Sequence, residues 1–257
     1  ICFGPGPRFK GGIANYNTSL AKAFDKQEDT DVHIVSWTQQ YPAIIPRDFI
    51  DRKSHKDQLD GTNIKVHYLT NYNNPFTWRK TVKEIAALKP DLVVFQWAIA
   101  VQGLPLGVIA SRLARRKIKV VFDLHFVIQK EGSTLDNRFT AFGIKSAASY
   151  VVHARQTADQ LQQLFPKTRF DIRTHFKELP LGSKPVLQLY HPVYDMFNPD
   201  PSFDKNKVKM EMGLNDHVFL FFGFIRKYKG LHQAIEAFAK LLERRKDVSL
   251  LIVGESF

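Results

Sequence analysis

The sequence predicts a doubly wound α/β protein, on two observations. Short runs rich in Val, Ile and Phe alternate along the chain with segments whose apolar residues recur every three or four positions. The runs Leu92-Val-Val-Phe95 and Val218-Phe-Leu-Phe-Phe222 are apolar on both faces, as strands of a parallel sheet covered on both sides must be.

The elements follow in order. Strands are read at 1–3, 31–37, 64–69, 91–97, 118–125 and 150–153, then at 186–190, 217–223 and 248–254. Helices are read between them at 13–26, 78–88, 106–116, 138–147 and 155–164, then at 207–212 and 231–244. The last is the clearest. Leu231, Ala234, Ile235, Phe238, Leu241 and Leu242 fall on one face of a 3.6-residue helix. Segments 39–63 and 167–184 carry neither period and are read as long loops. Pro192, Pro199 and Pro201 cluster among Asp and Asn where both signals pause. Residues 1–190 are therefore expected to form a first Rossmann-like domain and 191–206 a linker, with 207–257 beginning a second Rossmann-like domain. That remainder is short for an α/β domain, so a C-terminally truncated chain is expected. With no initiator Met and no charged leader, the N-terminus is also expected to be incomplete and to carry no signal peptide.

Composition narrows the class. The chain has 257 residues with ordinary globular usage, 44% hydrophobic and 24% charged, which excludes collagen-like and wholly disordered chains. Its single cysteine, Cys2, cannot form an internal disulfide and is read as a core residue. The longest apolar stretch, 92–101, is interrupted by Gln96 and is half the about 20 residues a membrane-spanning helix needs. A soluble protein of a reducing, cytoplasmic compartment is expected. The one outlier is charge: 37 Lys and Arg against 25 Asp and Glu give +12. Such a field favours anionic partners: nucleic acid, acidic lipid or phosphorylated small molecules. The helix around 104–119 either lies on anionic lipid or packs on the sheet with its Arg and Lys in water.

Three loops sit where ligands bind in such sheets, beyond strand C-terminal ends. The first reads Gly4-Pro-Gly6-Pro-Arg8-Phe-Lys10-Gly11-Gly12 and runs into a helix whose free N–H groups suit an anion. It is neither the dinucleotide fingerprint, since Phe9 stands where glycine is needed, nor a Walker loop. The second ends a strand at His125, with Glu131, Asp136 and Arg138 following in a polar loop. His153 ends the next strand similarly. His125, His153 and His191 are far apart in sequence and show no metal-site spacing, so no metal is expected. The third loop runs from Gly223 through Arg226 and Lys229 to Gly230. There a planar guanidinium and an ammonium suit phosphate near a helix N-terminus.

On these residues the chain resembles the retaining glycosyltransferases of family 4, which have the two-domain GT-B fold. Gly11-Gly12 with Asn15, Tyr16 and Leu20-Ala21 resembles their glycine loop and first helix. The strand ending at His125, with Glu131 beyond, resembles their active-site histidine segment. Gly223, Arg226 and Lys229-Gly230, then Ala237-Phe238 and Leu251-Ile-Val-Gly254, resemble their donor-phosphate loop, helix and next strand. Two departures stand out. The family's arginine commonly follows the glycine directly, where this chain has Phe224, and the paired-glutamate motif has no counterpart before Phe257.

The resemblance implies transfer of a sugar, with retention, from a nucleotide-diphosphate sugar to a glycan or lipid-linked acceptor. This is hexosyltransferase-type chemistry, on glycan biosynthesis, without metal or cofactor. Arg226 and Lys229 would stabilise the leaving diphosphate beside Gly223, Gly230 and Gly254, and His125 would meet the transferred sugar. Gly11, Gly12, Asn15, Tyr16 and Glu131 would form the acceptor side. The fragment by itself is expected to be inactive, and the enzyme to sit in the cytoplasm or peripherally at the inner membrane face. Two rival readings remain: a basic α/β nucleic-acid-binding protein and a non-catalytic sugar-nucleotide-binding protein of the same fold. The resemblance itself leads to no nucleic-acid partner.

Overall fold

A computed structural model describes residues 1–42, 44, 49–52, 58–128, 133–175, 180–194 and 200–254. The chain divides into two compact units, Ile1–Met196 and Phe197–Phe257.

Among the described residues the first unit is built on eight parallel strands. They are β1 (Cys2–Phe3), β2 (His33–Gln39), β3 (Lys65–Asn71), β4 (Leu92–Trp97), β5 (Lys119–Leu124), β6 (Ser149–Val152), β7 (Phe170–Arg173) and β8 (Lys184–Gln188). Their order is β3-β2-β1-β4-β5-β6-β8-β7. The chain thus winds outward from β1 in one direction and returns to β4 on its other side. That reversal opens a crevice at the strand C-termini, where ligands of such sheets bind. The expected loop over 167–184 is partly wrong: Phe170–Arg173 is a strand pairing with β8, with Ile172 beside Val186. Phe170 and Ile172 alternate too briefly there to stand out as a period of two.

Among the described residues five α-helices cover this sheet: α1 (Gly12–Asp25), α2 (Pro75–Ala87), α3 (Gly103–Arg115), α4 (Thr134–Ile144) and α5 (Arg155–Leu164). Because strand side chains alternate, each strand serves two faces. On one face Trp37, Phe3, Phe95, Phe122 and Trp97 pack with Val82, Ile85, Ile109, Leu113, Ile144 and Leu161 from α2 to α5. Phe3 stacks on Phe95 at 4.6 Å and Phe95 on Phe122 at 5.0 Å, a ladder fixed by the strand register. Each such pair contributes about 0.5–1.5 kcal/mol beyond its buried area. On the other face α1 places Ala21 against Cys2, Val32 and Ile34. Cys2 is a core residue, and burial pushes its thiol up to about 12.

Local chemistry sets the helix ends. Asn74 caps α2 by accepting the Phe76 N–H, and Pro75 fills the first turn, where its missing donor costs nothing. Helix α4 begins at a capping box, Ser133 with Asp136, four residues before the predicted start. Asp136 and Arg138 are therefore helical and not in the polar loop beyond His125. Helix α3 buries Leu106, Ile109, Ala110 and Leu113 in the core, so its apolar face belongs to the sheet. No helix among the described residues is long and apolar enough to cross a membrane.

The second unit holds α6 (Lys205–Glu211), β9 (His217–Phe222), α7 (Leu231–Arg244) and β10 (Val248–Val253), with β9 and β10 parallel neighbours. Phe238 of α7 meets Phe219 edge-on at 6.2 Å. Phe219, Leu220 and Phe222 remain half exposed or more. The described residues therefore do not supply the two-sided cover predicted for this strand.

Candidate functional site

Register gathers a polar cluster at the C-terminal end of the first sheet. Gln96 pairs beside Asp123, and Asp123 beside Val151. Side chains two residues apart share a face, so His125 follows Asp123, and His153 follows Val151, onto the face that α1 covers. Tyr16, in the second turn of α1, comes down on the same spot. It stands edge-on to His125 at 4.7 Å and to His153 at 5.5 Å. His191, three residues past β8, completes the group at 5.2 Å from both Tyr16 and His153.

Hydrogen bonds fix the cluster from behind. His153 Nε2 donates to the Asp123 carboxylate at 2.7 Å, and the Tyr16 hydroxyl meets the same His153 Nε2 at 3.3 Å. His125 Nε2 bonds Gln96 Oε1 at 2.9 Å, while its backbone N–H donates to the Trp97 carbonyl. Burial lowers the His125 imidazole to about 4, with His153 and His191 pushing the same way and Asp123 opposing. His125 is thus a neutral imidazole at physiological pH. Burial, reinforced by the Asp123 charge, raises the Tyr16 hydroxyl and keeps it protonated.

The loop after β1 borders this cluster. A side chain at Gly4 would meet Gln96 Cγ at 2.9 Å, so only glycine lets Gln96 reach His125 past the chain. Gly11 has φ +107°, a conformation side chains disfavour, and precedes the uncapped, acid-free first turn of α1. Gly12 and Asn15 lie in that turn, and the Gly12 carbonyl accepts the Tyr194 hydroxyl at 3.2 Å. Tyr16, read within the first helix and on the acceptor side, is a buried residue of α1. Glu131 lies outside the described residues.

A second cluster lies within the second unit. Gly223 ends β9 with φ +107°, and Gly254 follows β10 beside it. A Cβ at Gly254 would fall 1.9 Å from the Gly223 carbonyl, and one at Gly223 would fall 3.1 Å from Lys229 Nζ. The lysine amine therefore lies over a bare strand end. Arg226 opens the 3-10 turn Lys227–Lys229, and Gly230, at φ +74°, precedes α7. Among the described residues no three His, Cys, Asp or Glu side chains converge as a metal-binding group. The three histidines meet through their rings, with the Nε2 atoms of His125 and His153 turned to Gln96 and Asp123.

Comparison with known proteins places the chain. Residues 10–174 match the family described as Glycosyltransferase Family 4. The chain belongs to that family. Residues 202–257 match a second family, glycosyl transferases group 1. No curated protein matches the sequence. Among solved structures, HepE of Anabaena in complex with UDP is similar at TM-score 0.56 and 15% identity, over 99% of this chain and 60% of that one. MnaA of S. aureus with UDP gives 0.55 and 11%, over 98% and 61%. An α-glucosyltransferase in complex with UDP-glucose and DNA containing an abasic site gives 0.54 and 16%, over 98% and 56%. The likenesses show the fold, α/β and Rossmann-like, of the GT-B-like class. This family-4 chain spans less than two thirds of the length of those structures.

The sequence had singled out His125, Arg226 and Lys229 with their glycines. It missed Asp123 and Gln96 as parts of the site, and it read His153 and His191 as separate. The signal was present in parity: Asp123 and His125, like Val151 and His153, are two apart at the ends of adjacent strands.

Proposed function

We propose that this chain carries the donor-phosphate loop and the sugar-facing histidine of a retaining, nucleotide-sugar-dependent hexosyltransferase acting on a glycan or lipid-linked acceptor. The observation that carries the reading is the Lys229 amine over the Gly223–Gly254 strand ends. Such an arrangement suits a diphosphate, because backbone can approach the phosphates there and fixed positive charge meets the charge that grows as the glycosidic bond breaks. Arg226 would add a planar fork to that charge. This electrostatic role needs only the chain's own cations.

His125 acts on the sugar. Being neutral, it adds no repulsion to the positive charge developing at the anomeric carbon, and it can hydrogen-bond a sugar hydroxyl. Gly11, Gly12 and Asn15 offer backbone and amide groups to the acceptor at the start of α1, with Glu131 as a further acceptor-side residue. Residues 1–190 would serve the acceptor and 207–257 the donor, joined by the linker 191–206. A lipid-linked acceptor would hold the protein at an anionic cytoplasmic membrane face. That attachment is electrostatic, since the apolar face of α3 is already buried. Incubation of the whole enzyme with UDP-glucose and other nucleotide-diphosphate sugars, with proton NMR of the product's anomeric signal, tests the reading. An axial donor should yield an axial product; an inverted product contradicts the mechanism.

A further inference from the structure

We infer that Gln96 is a positioning residue for the reaction proposed above. It fixes His125 as the tautomer protonated on Nε2, so that the imidazole meets a hydroxyl of the transferred sugar as an acceptor, through Nδ1. The purpose rests on that functional reading; the geometry does not. Gln96 lies in β4 and is 3% exposed. Its Oε1 stands 2.9 Å from His125 Nε2. An amide oxygen only accepts, so the imidazole must donate there. A neutral imidazole that donates at Nε2 carries its lone pair at Nδ1. His125 Nδ1 has no hydrogen bond among the described residues, and the ring is only partly buried. Tyr16 edge-on and His153 stacked hold the plane of the ring. That nitrogen is the one left for a ligand.

The sense of the Gln96 amide decides the tautomer, and Asn17 decides the sense. Asn17 is fully buried in α1 and donates from Nδ2 to the Pro5 carbonyl at 3.2 Å. A carbonyl only accepts, so the Asn17 amide cannot be reversed. Asn17 Oδ1 and Gln96 Nε2 are both buried without a partner among the described residues. The two side chains crowd one point, the place of a Cβ on Gly4, which is 2.9 Å from Gln96 Cγ and 3.2 Å from Asn17 Cγ. A lone acceptor and a lone donor thus lie about that point. Reversing Gln96 would set two lone acceptors there, the costlier arrangement in a buried place. The consequence is a preference in the substrate. An Nδ1 lone pair takes a free hydroxyl and gains nothing from a group that carries no proton.

The experiment is long-range proton–nitrogen NMR of the histidine rings near neutral pH, on this chain labelled with nitrogen-15 histidine, with His125→Gln to assign the signals. The wild type should show a single His125 tautomer, Nε2 protonated and Nδ1 bare. Gln96→Met keeps the length and bulk of the side chain and removes only the acceptor. The two nitrogen shifts of His125 should then move toward each other as the second tautomer fills, whereas a merely structural Gln96 would leave them unmoved. Circular dichroism verifies the fold of the variant, and the wild-type spectrum decides should Gln96→Met not fold. In the whole enzyme Gln96→Met should lower turnover about three- to tenfold, the worth of one neutral hydrogen bond. A wild-type ring protonated on Nδ1 or mixed, unmoved shifts in folded Gln96→Met, or unchanged turnover overturns the inference. No donor is present in the spectra, so failure there is distinct from an absence of glycosyl transfer, which would fail the functional reading instead.

Discussion

Replacing His125 by Gln should make the first unit less sensitive to acid. In the unfolded chain this histidine takes up its proton near its ordinary value of 6.5, whereas in the folded protein burial delays protonation to about 4. Between these values the unfolded state binds more protons, so folding stability rises with pH across the window and falls as the solution is acidified. The separation of 2.5 units, at 1.36 kcal/mol per unit, amounts to about 3 kcal/mol, of which about 2 is already lost at pH 5. The contribution is complete above 6.5 and does not change further below 4. Urea unfolding of the wild type and His125→Gln at pH 7 and pH 5, followed by circular dichroism, reads the difference directly. The wild type should lose about 2 kcal/mol more than the variant on acidification. Equal losses would show that His125 titrates normally in the folded protein, and the neutral, desolvated imidazole would have to be abandoned.

Other outcomes follow from packing and charge. Gly143→Ala should destabilise the first unit by about 1–3 kcal/mol in the same unfolding assay, because the added carbon would fall 2.5 Å from the Trp97 ring. An unchanged midpoint would place α4 further from β4 than described. Ser133→Ala should cost about 1 kcal/mol by removing the α4 cap, and Ser133→Asp should restore most of it. Co-sedimentation with anionic vesicles should be abolished by high salt, as expected of a basic surface whose α3 apolar face is buried. Salt-resistant binding would mean that an apolar element inserts.

The double-wound fold was legible because the runs Leu92–Phe95 and Val120–Phe122 are apolar on both faces and Leu231–Arg244 has a helical stripe. Periodicity reports such burial directly. The strand Phe170–Arg173 escaped because an edge strand of four half-buried residues has little pattern to report. The start of α4 escaped because its first turn is held by side-chain capping at Ser133, with no apolar stripe there. His125 could be found by its place at a strand end. Its surroundings could not, because they depend on which strands are neighbours. Asp123 and His153 are 30 residues apart and meet only once β5 lies beside β6. Tyr16 could be read on the first helix, but its place against His125 and His153 could not, because that too depends on which strands are neighbours.

The central claim, that Lys229 and Arg226 hold a departing diphosphate, is tested most directly by steady-state turnover of four basic-site variants made in the whole enzyme. Lys229→Ala and Arg226→Ala should each lower turnover by roughly 10²–10³, as loss of one electrostatic partner of a developing charge typically does. Lys117→Ala and Lys246→Ala, equally basic but outside the two clusters, should change little beyond the salt dependence. Four similar small losses would contradict the account, since charge would then act only through the overall field of the protein.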